Sequence, residues 1–155
     1  MIFFQKCGEF KLEAYIDVDW ANSMINRRLI AGYCTFLGGN IVTWRSKKQP
    51  MVTCFSAKVE FRVIVQGRCE LLWLKIILWD LRVRVKNAMI LYFDNKATIN
   101  ITHNQVQYDQ TKHVEIDRHF IKEKLDSRQV CTPYVSSSNQ LADVLTKALS
   151  NANFQ

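Results

Sequence analysis

Four acidic residues stand where the sequence pattern predicts that a strand or a helix begins or ends. They are Asp17, Glu60, Asp94 and Asp143. Glu60 lies on the helix face that should pack on a sheet, where a carboxylate is costly unless it is paired, hydrogen-bonded or bound to a metal. Each of the other three also has an ordinary interpretation as a solvated strand end, a helix cap or a surface charge. Together the four acids are candidates for an acid-based or metal-based site.

Two of these acids are expected at one edge of a sheet. If the strands that end at Asp17 and Asp94 are neighbours, both residues lie in the carboxyl-end crevice where open α/β sheets place their sites. Carboxylates that converge there repel one another strongly unless a cation lies between them. Oxygen ligands of this kind suit Mg²⁺ or Mn²⁺, and pairs of such ions stabilise the attacking and leaving oxygens in phosphodiester cleavage. The acids therefore indicate metal-dependent chemistry on a phosphodiester.

The composition agrees with a polyanionic substrate. The chain has 155 residues, 48% of them hydrophobic, which suits one domain that needs no covalent staple to fold. Its 21 Lys and Arg against 14 Asp and Glu give a net charge of +7, which favours nucleic acid or an anionic membrane surface as partner. The five cysteines lack a C-x-x-C spacing, so we expect free thiols packed in a reducing compartment. We find no signal peptide and no apolar run long enough to span a bilayer, and we expect an intracellular domain.

The elements that must position the acids follow from hydrophobic periodicity. Residues 10–18 alternate as a half-buried strand, and Gly38-Gly39-Asn40 predicts a hairpin between the next two strands. The other predicted elements are strands over Leu29–Leu37, Ile41–Arg45, 88–93 and Val130–Val135, and helices over 56–68, Glu70–Arg82, 95–101, 111–126 and 137–149. A capping box that pairs Ser137 with Gln140 would open the last helix. The pattern predicts a single α/β domain with a mixed sheet. We expect Trp20 and Trp44 to be core residues, with stacking on a substrate as the alternative.

The motifs around the acids resemble a known family. They are Tyr15-Ile16-Asp17-Val18-Asp19-Trp20-Ala21, Ser56-Ala57-Lys58-Val59-Glu60-Phe61-Arg62, Leu91-Tyr92-Phe93-Asp94-Asn95-Lys96 and Gln140-Leu141-Ala142-Asp143-Val144-Leu145-Thr146-Lys147. In this order they are similar to the RNase H domain of copia-type retrotransposon polyproteins, and the likeness covers about residues 10–150. We therefore expect an N-terminal extension over 1–9, an RNase H-like domain over 10–150 and a C-terminal tail over 151–155.

The resemblance implies a fold and an activity. The fold is an RNase H-like α/β domain with a five-stranded mixed sheet and helices on both faces. The activity is hydrolysis of the RNA strand of an RNA–DNA hybrid with two Mg²⁺ ions, for which Mn²⁺ is a possible substitute. The metal-binding and catalytic set falls on Asp17, Glu60, Asp94 and Asp143, with Asp19 as the less favoured alternative to Asp17. The implied partners are the hybrid and a reverse transcriptase domain in cis, with no membrane and no small-molecule cofactor, in the cytoplasm (in a virus-like particle) or in the nucleus.

Basic and polar residues outside the acidic set are candidates for nucleic-acid binding. Several lie close to the predicted hairpin, where they could neutralise backbone phosphates, although a run of charges is more often only a solvated surface. The resemblance makes Lys112-His113 a recurrent feature, and we hypothesise that this pair faces a substrate phosphate. The whole candidate set is Arg27, Arg28, Arg45, Lys47, Lys48, Asn95, Lys112 and His113.

Two other functions stay open at this stage. A catalytically inactive remnant with the same fold would act as a nucleic-acid-binding or interaction domain. Lys58, where family members carry an acid, and Trp79, where a charged residue is usual, are departures that fit such a remnant. An integrase catalytic core is less favoured, because that pattern requires a glutamate where this chain has Asp143.

Overall fold

The computed structural model describes residues 10–20, 29–48, 56–103 and 129–147. The strands are β1 (Leu12–Trp20), β2 (Leu29–Leu37), β3 (Asn40–Lys48), β4 (Met89–Phe93) and β5 (Val130–Cys131). The helices are α1 (Ser56–Asp80), α2 (Lys96–His103) and α3 (Asp143–Thr146), with a 3₁₀ turn over Ser137–Asn139. The helix predicted at 111–126 and the candidate binding residues Arg27, Arg28, Lys112 and His113 lie outside the described residues.

The strands form one mixed sheet in the order β3-β2-β1-β4-β5. β1, β2 and β3 pair antiparallel, whereas β4 pairs parallel with both β1 and β5. The β2–β3 hairpin turns at Gly38 (φ 56°) and Gly39 (φ 81°), where glycine accepts the left-handed conformation without a Cβ clash. The five-stranded mixed sheet and the hairpin predicted from the sequence are confirmed.

The two faces of the sheet carry different helices. α1 packs on the face that presents Ile16 and Leu91, and Gly67 makes this approach possible, because a Cβ there would overlap the side chain of Ile16. α3 packs on the opposite face over Gly32, where an added Cβ would lie 2.8 Å from Cβ of Leu145. The expected placement of helices on both faces is therefore confirmed.

The helical region after residue 55 forms one helix and not two. α1 runs unbroken over 25 residues, since no proline interrupts it and its one glycine costs a helix only about 1 kcal/mol. Its first half buries Phe61 and Ile64 in the core, as the spacing predicts. Its second half leaves Trp73 and Trp79 more than half exposed, at 54% and 65%. No helix among the described residues is long and apolar enough to cross a membrane.

Two sequence predictions about side chains are wrong. Trp44 is 62% exposed and not a core residue, because β3 is the edge strand of the sheet that the described residues form. The predicted capping box is absent, because Gln140 turns its side chain into the interior and donates a hydrogen bond to the carbonyl of Ile16 at 2.7 Å. The last helix consequently begins at Asp143 and ends at Thr146, after which the backbone of Lys147 is extended.

Smaller differences concern β5 and the cysteines. β5 is only two residues long, because Pro133 lacks the N–H that would continue its ladder, and Tyr134 returns to pair with Phe93 as an isolated bridge. The described cysteines form no disulfide, but only Cys34 is buried, while Cys69 and Cys131 are exposed. The expectation of packed thiols therefore holds for one of these three residues.

Arg68 is an unusual core residue, because its side chain is only 1% exposed. Its Nη2 donates to Oγ1 of Thr132 at 2.6 Å, while Nε and Nη1 have no hydrogen-bond partner among the described residues. Burial lowers the pKa of this guanidinium from its ordinary value to about 10, so the group stays charged at neutral pH. A shift of this size corresponds to about 3 kcal/mol of unfavourable desolvation.

We expect Arg68→Met to stabilise the protein. Methionine retains much of the buried volume and removes the desolvated charge, so the free energy of unfolding should rise by about 1–3 kcal/mol. Urea denaturation at pH 7 measures this change. The control is Arg62→Met on the exposed face of the same helix, which should change stability by less than about 0.5 kcal/mol. A loss of stability in Arg68→Met would contradict this interpretation of the buried guanidinium.

Candidate metal centre

The parallel pairing of β1 and β4 brings the first two acids together. Ile16 and Phe93 are the last pair of the two strands, so Asp17, which lies within β1, and Asp94, which directly follows β4, emerge side by side where the parallel pairing ends. Neighbouring strands lie about 4.8 Å apart, which allows the two carboxylates to share a ligand. The sequence expectation that these strands are neighbours is confirmed.

α3 adds the third acid from above the same sheet face. Gly32 is in register with Asp17 and leaves the space in which Leu145 and Thr146 sit. Oγ of Ser46 on β3 donates to the carbonyl of Leu145 at 2.7 Å, which fixes the helix against the sheet. Asp143 at the first position of α3 is thereby held over the strand ends.

Three carboxylates converge as a result. Asp17, Asp94 and Asp143 each contribute an oxygen, and these three oxygens lie within 4.8 Å of one another. Asp17 is buried, at 4% exposure, while the other two are partly buried. Carboxylates held this close in a partly dehydrated site create a strong local negative potential.

The environment raises the pKa values of two of these carboxyl groups. Burial is the main cause of the rise in the pKa of Asp17 to about 6, and the charges of Asp94 and Asp143 add to it. A hydrogen bond donated by the hydroxyl of Thr146 partly opposes that rise. Burial also raises the pKa of Asp94, again with a contribution from Asp143. A cation bound between these carboxylates would therefore offset their mutual repulsion and favour their charged forms.

The two oxygens of Asp143 differ in their environment. Oδ2 accepts a hydrogen bond from the ammonium of Lys147, one turn further along the chain. Oδ1 is buried and has no hydrogen-bond partner among the described residues. A buried carboxylate oxygen without a donor is costly, and coordination to a metal ion is one way of satisfying it. This oxygen and the convergence of three hard donors fit a divalent cation such as Mg²⁺.

Glu60 approaches from the other side of the strand ends. It rises from α1 and is not one of the three carboxylates whose oxygens converge. Nδ2 of Asn95 donates to its Oε2 at 2.9 Å, and the hydroxyl of Thr98 donates to the same oxygen. Glu60 and Asp94 nevertheless line one open cleft of about 480 Å³, together with Asn95 and Tyr134. The structure thus places all four predicted acids at one end of the sheet. Asp17, Asp94 and Asp143 lie close together, and Glu60 lies across the cleft.

The described candidates for nucleic-acid binding lie on β3 and at the start of α2. Arg45, Lys47 and Lys48 are exposed on β3. Lys48 shares the sheet face of Ser46, which contacts the helix that carries Asp143, whereas Arg45 and Lys47 alternate to the opposite face. Asn95 contacts Glu60 through its side-chain amide, and its Oδ1 accepts hydrogen bonds from the amides of Ala97 and Thr98. Asn95 therefore caps α2 and also hydrogen-bonds a predicted catalytic acid.

Sequence reasoning missed several residues that touch the predicted acids. They are Thr98, Thr146 and Lys147, which contact Glu60, Asp17 and Asp143 respectively. Sequence reasoning also missed Lys96, which touches no acid of the set but whose ammonium lies 4.5 Å over the ring of Tyr134 at the cleft. The spacing of Asp143 and Lys147 at i, i+4 was a signal available in the sequence for one of these contacts. The hydrogen bonds from the hydroxyls of Thr98 and Thr146 join residues that are distant in the chain, so no local sequence pattern predicts them.

The fold belongs to a known class of domain. The model matches the N-terminal RNase H domain of Rv2228c from Mycobacterium tuberculosis with a TM-score of 0.63 at 11% identity, over 89% of this chain and 91% of that one. It matches LC11-RNase H1, solved in complex with an RNA/DNA hybrid, with a TM-score of 0.58 at 12% identity, over 88% of this chain and 94% of that one. The chain therefore has the RNase H fold.

The sequence relatives are more specific. The chain is 35% identical over 154 residues to the retrovirus-related Pol polyprotein from transposon RE1 of Arabidopsis thaliana, and 34% identical to that from transposon RE2. Each match covers 99% of this chain, which spans about a tenth of the length of these relatives, at 10% and 11%. No family model matches. The chain is thus a homologue of one segment of retrovirus-related Pol polyproteins from transposons, and the resemblance found in the sequence is confirmed at that level.

We expect Asp17→Asn to stabilise the metal-free protein at pH 7. An acid whose pKa rises from 3.8 to about 6 on folding destabilises the fold above pH 6, and this cost disappears as the pH falls towards 4. Removing the charge should therefore add up to about 3 kcal/mol to the free energy of unfolding at pH 7, and little at pH 4. Urea denaturation in EDTA at both pH values measures the difference between variant and wild type.

The control for this comparison is Asp80→Asn, which removes a carboxylate at the exposed end of α1. An Asp17→Asn variant that is less stable than wild type at pH 7 would contradict the electrostatic account of the centre.

Proposed function

We propose that this domain is a metal-dependent endoribonuclease that cleaves the RNA strand of RNA–DNA hybrids during the reverse transcription of a retrotransposon. One observation carries the proposal: three carboxylate oxygens within 4.8 Å of one another, at the carboxyl ends of parallel strands in an RNase H fold. The homology to transposon Pol polyproteins supports a function in the reverse transcription of a retrotransposon, and a reverse transcriptase domain in cis would be the natural partner.

The residues of such a site would have different roles. Asp17, the most buried acid, would be the shared ligand, with Asp94 and Glu60 on one side of it and Asp143 on the other. Thr146 and Asn95 would orient Asp17 and Glu60 through the hydrogen bonds they donate. Mg²⁺ ions bound here would lower the pKa of a water nucleophile and stabilise charge on the leaving 3′ oxygen. No residue of the chain needs to form a covalent bond to the substrate.

The surroundings suit a nucleic-acid strand. The cleft beside Glu60 and Asp94 is open and is bordered by the Lys96–Tyr134 pair, which offers a cation and an aromatic face to a nucleotide. On the edge strand β3, exposed Lys48 lies on the face of α3 and exposed Arg45 and Lys47 lie on the opposite face, and all three would neutralise backbone phosphates along this edge of the sheet. Exposed Trp44 on the same strand adds a second ring surface.

We expect the purified domain to cleave the RNA strand of a labelled RNA–DNA hybrid in Mg²⁺ or Mn²⁺. EDTA should abolish cleavage, and Asp94→Asn should reduce kcat by more than about a hundredfold, since even residues behind the ligands cost 10–100-fold in metalloenzymes. The control Asp80→Asn should cleave at the wild-type rate. Binding of the hybrid without cleavage by wild type in either metal would favour the alternative function, an inactive nucleic-acid-binding remnant.

The basic residues of β3 should affect binding and not chemistry. We expect Lys47→Ala/Lys48→Ala to raise KM for the hybrid several-fold with little change in kcat, because two phosphate contacts are lost. The slope of log Kd against log salt concentration should fall by about 2. The matched control is Arg84→Ala/Lys86→Ala, which removes two exposed cations near the opposite end of β4. Equal effects of the two double variants would show that net charge, and not this strand, determines affinity.

A further inference from the structure

Gln140 is buried between the three elements that carry the convergent carboxylates. Its side chain is 5% exposed, although it precedes a four-residue helix on the outside of the sheet. Such a short helix has no stability of its own, so its position depends on tertiary contacts. The contacts of Gln140 are therefore a large part of what places Asp143.

The amide of Gln140 makes two hydrogen bonds and lies beside the carboxylate of Asp94. Nε2 donates to the carbonyl of Ile16 at 2.7 Å, immediately before Asp17 on β1. Oε1 accepts from the backbone N–H of Ala142 at 3.3 Å. The nearby amide also opposes the rise that burial causes in the pKa of the Asp94 carboxyl. A primary amide has two N–H donors and one carbonyl acceptor, and here both kinds of group are engaged.

Each of these three contacts reaches a different element that carries a carboxylate. The bond to Ile16 fixes β1 next to Asp17, the amide beside Asp94 favours the charged form of that carboxylate, and the bond from Ala142 fixes the residue before Asp143. Charge repulsion among the three acids would otherwise separate α3 from the strand ends. One neutral side chain thus opposes the repulsion without adding a charge of its own.

We propose that Gln140 is a positioning residue that holds the three carboxylates at metal-binding distance before any cation arrives. The inference rests on the proposed function, because it concerns the same centre. An isosteric apolar residue would fill the same space and hold none of the three groups. Glutamate would keep the acceptor for Ala142 but could not donate to Ile16 at neutral pH.

The test compares Mn²⁺ affinity with stability. Isothermal titration of the full chain with Mn²⁺ should show a Kd about tenfold or more higher in Gln140→Met than in wild type, the size of effect seen when residues behind metal ligands are replaced. Gln140→Glu should bind no better than Gln140→Met if donation is what matters. With hybrid as substrate, kcat should fall while KM stays within about twofold.

A destabilised control separates positioning from general loss of structure. Leu71→Ala removes a fully buried side chain of α1 far along the helix from Glu60, and it should lower stability by about 2–5 kcal/mol. On folded protein it should leave the Kd for Mn²⁺ unchanged. Wild-type affinity in Gln140→Met, or an equal loss of affinity in Leu71→Ala, would overturn the proposal.

A measurement on wild type covers the case in which Gln140→Met does not fold. The side-chain NH₂ signals of Gln140 should exchange with solvent at least about tenfold more slowly than those of Gln66, which lies exposed on α1. Equally fast exchange at the two residues would overturn the proposal. Failure of the proposed function looks different: wild type would bind Mn²⁺ with Gln140-dependent affinity and cleave no hybrid.

Discussion

The repulsion between three carboxylates at the ends of two strands is the interaction on which the rest of this domain depends. Asp17, Asp94 and Asp143 meet within 4.8 Å, and burial raises the pKa values of the first two. Such an arrangement is unfavourable for the fold in the absence of a cation. The hydrogen bonds from Thr146 and Gln140, the ammonium of Lys147 and the packing of α3 over Gly32 all oppose that repulsion.

The two sides of the centre are built in different ways. On the α3 side, a short helix is fixed by side chains from β1, β3 and the segment before it. On the α1 side, Glu60 belongs to a 25-residue helix that is anchored in the core by Phe61 and Ile64, and its carboxylate is held by Asn95 and Thr98. The α1 side is therefore fixed by the core itself. The α3 side is the one that a few substitutions could displace.

Much of this architecture could be predicted from the sequence. The alternation of apolar and polar residues and the Gly38-Gly39 turn predict β1, β2 and β3, and the apolar run before Asp94 predicts β4, because these signals are local and strong. If β1 and β4 are neighbours, Asp17 and Asp94 are predicted at the same edge of the sheet. The start of the last helix could not be predicted in the same way, because the capping-box pattern of Ser137 and Gln140 competes with a tertiary contact. In the structure, the side chain of Gln140 forms the hydrogen bond to Ile16 and not the capping box.

The prediction that Trp44 is a core residue is wrong because composition does not show which strand lies at an edge. The buried Arg68 carries no local signal either, since only the packing of α1 against Thr132 encloses it.

The central claim is that the convergent carboxylates form a metal centre, and anomalous diffraction from crystals soaked in Mn²⁺ tests it most directly. The account predicts anomalous density between the carboxylates of Asp17, Asp94 and Asp143, with manganese–oxygen distances of about 2.0–2.3 Å. The same soak of an Asp94→Asn crystal should show weaker density or none at this position. Mn²⁺ bound elsewhere, with the three carboxylates turned apart, would contradict the account.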